Sequence, residues 1–360
     1  MTKRLLLAGL VLSPVVIALH YAGGVSETLM FVIAAAALIP LAWLIGESTE
    51  HAAHHTGPGI GRFLNASFGN APELIIALFA VNDGLTEVVR GSLAGSVIGN
   101  LLLVLGFSLF FGGRGELDRT SSLLSLTLVL GATALFLIPA IPGFSGDPDR
   151  HSLAVASLPV SIALLLVYLG VTWWSLRRHK DMHAAHLSAE AGSHPANLTP
   201  EEAEGGPWSL RNSLAILAAA TVFTALVAEV LVGSLEHFSE KAHMSEFFVA
   251  IVIVAIVGNA AEHGGAVVVA ARGKIKLAAE IALSSSAQVA VFLIPAVAIL
   301  SWAIHPFSLT FRPVELAALG GATVLTAATL HPGQSSRWRG CVLIGAYAAL
   351  GVVFWFAGNR

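Results

Sequence analysis

Apolar and polar positions alternate along this chain in long blocks. Eleven hydrophobic runs, at about 4–23, 28–46, 62–81, 87–111, 121–141, 153–175, 208–233, 246–270, 275–301, 312–331 and 337–357, come near or pass the roughly 20 residues that cross a bilayer as a helix. Two runs are interrupted in the same way. "SFGNAPELIIALFA" (67–80) and "VGNAAEHGGAVVVA" (257–270) each place a glycine, an asparagine and a glutamate inside an otherwise oily stretch. The pattern predicts helices throughout, with one polar break in each half.

Composition sets the class. With 56% hydrophobic and only 11% charged residues, the chain reads as a polytopic membrane protein whose main partner is the lipid bilayer. The lone Cys341 rules out an intramolecular disulfide and any cysteine-based metal cluster. No basic run with interleaved aromatics points to nucleic acid. Residues 1–23, with Lys3 and Arg4 ahead of an apolar run, read as a retained first helix, since no small-x-small cleavage site follows.

Charge orients the spans. With a cytoplasmic N-terminus, Arg90, Arg150, Lys241, Arg312 and Arg360 lie outside and the other fourteen basic residues inside. That asymmetry is what the positive-inside rule expects. The reading is a multi-pass protein of a bacterial-type inner membrane, with its C-terminus on the side opposite to its N-terminus. Residues 177–207 are polar and rich in His and Glu, including His179, His183, His186 and His194, and read as a solvated cytoplasmic linker.

The two halves are related. Aligning Gly69 with Gly258, an offset of 189 residues, pairs Asn70 with Asn259 and Glu73 with Glu262, and brings "GSVIGN" (95–100) onto "SSSAQV" (284–289). Each half then holds five spans, and because five is odd the halves insert upside down relative to each other. The expected fold is all-α: eleven transmembrane helices, made of an N-terminal helix (1–27), a first five-helix repeat (28–176), the linker (177–207) and a second, inverted repeat (208–360). Inverted repeats with broken helices meeting near the midplane are the architecture of secondary transporters.

The interrupted spans carry the candidate chemistry. An intramembrane carboxylate is costly enough to be functional by default, and the pattern places no basic residue in the interior of a span to neutralise Glu73 or Glu262. Gly69, Pro72 and Gly258 are expected to loosen helical hydrogen bonding and free main-chain carbonyls. With Asn70, Asn259, Ser96, Ser285 and Gln288 these make an all-oxygen set suited to a hard cation, and Ca2+ takes about 6–8 oxygens in flexible geometry. Mg2+ fits less well, and Na+ or Mn2+ stay as alternatives. Two buried carboxylates left empty and ionised would cost several kcal/mol each, so cation and proton compete for them. Exchange follows, without a separate proton path and without any resident cofactor.

These residues resemble a known family. "FLNASFGNAPELIIALFAVNDG", "GSLAGSVIGNLLLVLG", "VGNAAEHGGAVVVAARGKIKLA" and "SSSAQVAVFLIP" are similar to the paired signature repeats of the calcium/proton exchangers, a branch of the calcium/cation antiporters. The resemblance implies an eleven-helix fold that moves Ca2+ against protons. It makes Glu73 and Glu262 the cation and proton carriers and completes the site with Asn70, Asn259 and the carbonyls of Gly69 and Gly258. His263 becomes a candidate for proton handling or gating.

Departures narrow what carries over. Pro72 stands where threonine is usual and Gly99 where serine is common, and both alter local geometry. Val97 and Ser286 occupy places where sodium/calcium exchangers carry further polar groups, which favours proton over sodium coupling. Glu50 and Glu229 occupy corresponding spans as candidate entrance carboxylates, and Ser92 and Asn100 read first as helix-packing groups. Other exchangers of the same fold (Na+, K+ or Mn2+ against H+, or Na+ against Ca2+) are the alternative function. A passive channel is disfavoured because its pore would need symmetric rings, and an intramembrane metalloenzyme because no span carries H-E-x-x-H. A homo-oligomer is compatible with the sequence.

Overall fold

The computed structural model describes residues 2–178 and 208–359, which are helical apart from short connections and one two-residue ribbon. In chain order the helices are α1 (Thr2–Gly9), α2 (Leu12–Ala22), α3 (Glu27–Phe68), α4 (Ala71–Asn82), α5 (Thr86–Gly112), α6 (Arg119–Gly143) and α7 (His151–Arg178), followed by α8 (Leu210–Gly233), α9 (Leu235–Lys241), α10 (Glu246–Gly258), α11 (Ala260–Ala271), α12 (Ile275–Ala303), α13 (Pro313–Leu330) and α14 (Arg337–Ala357). Strand β1 (Gly115–Glu116) pairs antiparallel with β2 (Gln334–Ser335). Of the expected linker only residues 177 and 178 are described, as the end of α7; its four histidines lie outside the described residues.

Among the described residues, nine helices are long and apolar enough to cross a membrane, or ten if α9 and α10, which meet at 113°, count as one bent span. The chain is thus an integral, all-helical membrane protein. The count falls short of eleven at the two interrupted runs. The expected span 62–81 is divided at Gly69–Asn70 between the end of α3 and α4, and the expected span 246–270 at Asn259 between α10 and α11.

A second difference concerns residues 47–61, whose polar content predicted a connection. They continue α3 without interruption. Ser48 and Thr49 donate to the carbonyls of Leu44 (2.6 Å) and Ile45 (2.8 Å), and Thr56 to that of Ala52. Hydroxyls satisfied along their own helix have no need to leave it, and Glu47, Ser48 and Thr49 are buried. Pro72 also plays another part than expected. It lies in the first turn of α4, where its missing N–H has no intrahelical partner to lose, so it opens a helix.

The described residues form two compact units. One contains Met1–Phe79, Leu176–Met244 and Val257–Gly265. Within it α3 packs along α8, flanked by α2 and α9. Ile45, Ala71, Leu217 and Ala220 form its small core against Leu44 and Phe68, and Phe31 stacks on Phe238 at 4.2 Å. Trp208 stacks on His51 at 4.4 Å, and its carbonyl accepts from His55 Nε2 at 2.7 Å, tying the start of the second half to α3.

The other unit contains Ala80–Ser175, Ser245–Ile256 and Ala266–Arg360. Here α5 is the central helix, buried along most of its length, while α7 and α14 leave most of theirs exposed for lipid. Its first half packs on the π-helical turn Val249–Val254 of α10, so closely that a Cβ at Gly95 would come within 2.1 Å of the Ile251 carbonyl oxygen; only glycine fits there. Its second half packs on α14, and α6 packs on α12 and α13. Further π-helical turns occupy Gly99–Val104 of α5 and Val289–Leu293 of α12. Asn100 Nδ2 donates to Ser285 Oγ at 3.0 Å, a polar tie between these two helices.

This unit also buries a basic residue that the charge pattern placed outside. Arg90, one turn into α5, is only 1% exposed. It pairs with Asp149 at 2.8 Å, bonds Thr310 Oγ1, the Ser308 carbonyl and Thr86 Oγ1, and lies over the Phe307 ring at 5.6 Å. Burial would raise the Asp149 carboxyl, but the hydrogen bonds and charge of Arg90 outweigh it and hold the group below the usual aspartate range. Arg90 is therefore a structural hub that joins α5 to the 143–151 and 307–310 connections.

Candidate functional site

The two motifs fold in the same way. At the first, α3 ends at Phe68, residues 69 and 70 turn, and α4 starts at Ala71. The Asn70 carbonyl accepts the first bond of the new helix from Leu74 N at 3.0 Å. At the second, α10 ends at Gly258, and the Asn259 carbonyl accepts from His263 N at 2.9 Å. Each asparagine thus opens a helix, and each glutamate stands in its first turn, where the free amides and helix dipole favour a negative charge.

Both breaks belong to the first compact unit. Asn70 and Asn259 are each 1% exposed, Glu73 is 6% and Glu262 8% exposed. The Glu73 side chain lies directly against the main chain of Gly258. A Cβ placed there would be 3.2 Å from Glu73 Cγ, 3.7 Å from Cδ and 3.8 Å from Oε1. One motif's carboxylate therefore rests on the other motif's break, and glycine at 258 is what leaves room for it.

Several polar atoms here have no hydrogen-bond partner among the described residues: both side-chain atoms of Asn70, Glu73 Oε2 and His263 Nε2. Buried polar atoms are ordinarily satisfied, and the two oxygens among these, Asn70 Oδ1 and Glu73 Oε2, suit a hard, oxygen-seeking ion. Among the described residues no three His, Cys, Asp or Glu side chains gather.

The remaining candidates are placed differently. Ser96, Ser285 and Gln288 belong to the second unit. Ser96 Oγ donates to the Ser92 carbonyl at 3.0 Å, Ser285 receives Asn100, and Gln288 is half-buried at the end of its α-helical run. Gly69 is half-buried at the first break, Glu50 half-buried in α3, and Glu229 exposed on α8. The sequence reading passed over Glu47, which is 5% exposed and 3.9 Å from His51 at i,i+4 spacing. It also passed over Glu315, fully buried, whose Oε2 accepts from Arg312 N at 2.5 Å. The capping pattern R-P-V-E at 312–315 was the signal available for Glu315.

Fold and site together define an integral membrane protein with a buried glutamate in the first turn after each of two helix breaks. Comparison with known proteins gives the family. The sodium/calcium exchanger protein family matches residues 26–177 and 212–356. The Ca(2+)/H(+) antiporter of Synechocystis sp. is 35% identical over 365 residues, spanning 98% of this chain and 98% of that protein. The Ca(2+)/H(+) antiporter ChaA of Bacillus subtilis is 36% identical over 361 residues, spanning 97% of each. The solved structure of native YfkE matches with a TM-score of 0.80 at 32% identity, over 99% of this chain and 100% of that one. The chain belongs to the sodium/calcium exchanger protein family.

Proposed function

We propose that this protein is a secondary antiporter that exchanges Ca2+ for H+ by alternating access, with Glu73 and Glu262 holding either the cation or protons. The observation that carries this is the position of the Glu73 carboxyl on the Gly258 main chain, at the break that Glu262 follows by four residues. A divalent ion and a proton on each carboxylate neutralise the pair equally well, whereas the bare pair is expensive. Loading one therefore releases the other. The names of the related proteins support Ca2+ and H+ as the exchanged species. Asn70, Asn259 and the Gly69 and Gly258 carbonyls supply neutral oxygens in this reading. His263 handles protons beside Glu262, and Glu50 and Glu229 serve as entrance carboxylates.

The architecture we propose has eleven crossings, two of them broken, in two inverted repeats after an N-terminal helix, with the N-terminus cytoplasmic. Support comes from equivalent constructions at the 189-residue offset: the Asn70–Leu74 and Asn259–His263 bonds. The π-helical turns at Gly99–Val104 and Val289–Leu293 match at nearly the same offset. The basic-residue count supports the orientation.

The test is radioactive Ca2+ flux in vesicles reconstituted with the full chain, with pH and Na+ gradients imposed separately. Uptake driven by the pH gradient and accompanied by proton counterflow is expected. Uptake driven by Na+ alone would establish the sodium-coupled alternative, and Ca2+ flux without proton counterflow would establish a channel.

A further inference from the structure

Away from the glutamates, the β1–β2 ribbon joins two connections far apart in sequence. Gly115 pairs with Ser335 and Glu116 with Gln334, Leu117 N donates to the Gly333 carbonyl at 3.0 Å, and Ser335 Oγ donates to the Gly113 carbonyl at 2.6 Å. The ribbon thereby brings the ends of α5 and α13 to the starts of α6 and α14, and with them four arginines. Arg114 and Arg339 line a cavity of about 360 Å³ with Glu116, Gln334 and Ser336. Arg119 packs over Gly333, where an added Cβ would come within 2.9 Å of its Cδ, and Arg337 Nε lies 3.9 Å from the corresponding point at Gly113.

Among the described residues the ion pairs do not balance the charge here. Glu116 is the acid in the cavity lining. Asp118 is engaged elsewhere: it caps α6 through Ser121 N at 3.0 Å and pairs with Lys276 at 3.3 Å, and these contacts hold its carboxyl below the usual range despite partial burial. Arg339 donates to the Gln334 carbonyl, a neutral partner. Close in sequence to the cations stand two exposed aromatics, Trp338 between Arg337 and Arg339 and Phe111 three residues before Arg114, 75% and 53% exposed at the ends of two helices long and apolar enough to cross a membrane. A cationic cavity with exposed aromatics on the helix ends that lead into it suits an amphiphile, charged at one end and oily at the other.

We infer that this cavity is a binding site for the headgroup of an anionic phospholipid, its phosphate held by Arg114 and Arg339 and its acyl chains lying along Phe111 and Trp338. Arg119 and Arg337 add to the field without lining the cavity. A soluble phosphate shares the headgroup chemistry but leaves the aromatic edge uncovered.

The experiment uses the full chain in phosphatidylcholine vesicles containing either brominated phosphatidylglycerol or brominated phosphatidylcholine. Trp338 is the reporter, as the fluorescence that Trp338→Phe removes. Stronger quenching by the anionic lipid is expected. The Arg114→Gln/Arg339→Gln variant should lose about fivefold of that preference per arginine, the equivalent of about 1 kcal/mol per cation near an anionic leaflet. Retained Ca2+ uptake by this variant shows that it folds, and Glu116→Gln, expected to strengthen the preference, tests the same site with the opposite sign. Equal quenching by both lipids, a preference unchanged in both variants, or displacement by inorganic phosphate at matched ionic strength would overturn the assignment.

Discussion

Gly258→Ala tests the cation site at the point where the two motifs meet. The position is not at positive φ, so alanine fits the backbone, and in a helix alanine is favoured over glycine by up to about 1 kcal/mol. The new methyl would stand 3.2 Å from Glu73 Cγ, inside the usual carbon–carbon contact of about 3.5–4.0 Å. Glu73 must then rotate away, and a side chain some 30° off its rotamer costs about 0.5–1.5 kcal/mol. Charged against cation binding, that is about 2- to 12-fold in affinity. Initial rates of Ca2+ uptake across a range of Ca2+ concentrations should show KM raised by this factor, with expression and melting temperature maintained. Gly264→Ala, in α11 just beyond the break and with nothing within 4 Å of its Cβ position, is the control and should leave KM unchanged. An unaltered KM in folded Gly258→Ala protein would refute the placing of the cation between Glu73 and the second break.

Other outcomes follow from the same structure. Glu73→Gln and Glu262→Gln should each abolish Ca2+ uptake into acid-loaded vesicles while the protein still inserts; near-normal transport by either variant would defeat the paired-carboxylate account. Asp149→Asn leaves the buried Arg90 charge without its counter-ion. Because Asp149 is 35% exposed, the loss should fall near the low end of the 3–5 kcal/mol typical of broken buried pairs, about 3 kcal/mol, read as a lower Tm in detergent. The Asp149 carboxyl titrates below its unfolded value of about 3.9, so the pair stabilises the fold above that pH. Melting temperature should therefore drop as pH falls below about 4, and this component should be missing in Asp149→Asn. Deleting residues 181–204 should leave basal exchange measurable, and complete loss in a folded protein would make that stretch part of the mechanism.

Hydrophobic length and hydropathy are properties of consecutive residues, which is why the membrane class and most spans could be read directly from the chain. The two motifs were legible for a related reason: Gly, Asn and Glu in an oily run are costly unless they break a helix and face a polar partner. Residues 47–61 misled because polarity alone does not distinguish a connection from a helix whose hydroxyls bond back onto their own carbonyls. Arg90 misled in the opposite direction. One turn from a loop, it reads as a surface cation, and its burial depends on Asp149, Ser308 and Thr310 coming together from connections 59 to 220 residues away.

Local order thus accounts for the helices, their apolar faces, the two breaks at Gly69–Asn70 and Asn259, and the carboxylate in the first turn after each. Which group then meets which was settled by packing. That Glu73 rests on Gly258, that Gly95 admits the Ile251 carbonyl, and that four arginines share one ribbon are facts about segments distant along the chain. No periodicity encodes such encounters, because each depends on how whole helices pack once their apolar surfaces and backbone polar groups have been satisfied together.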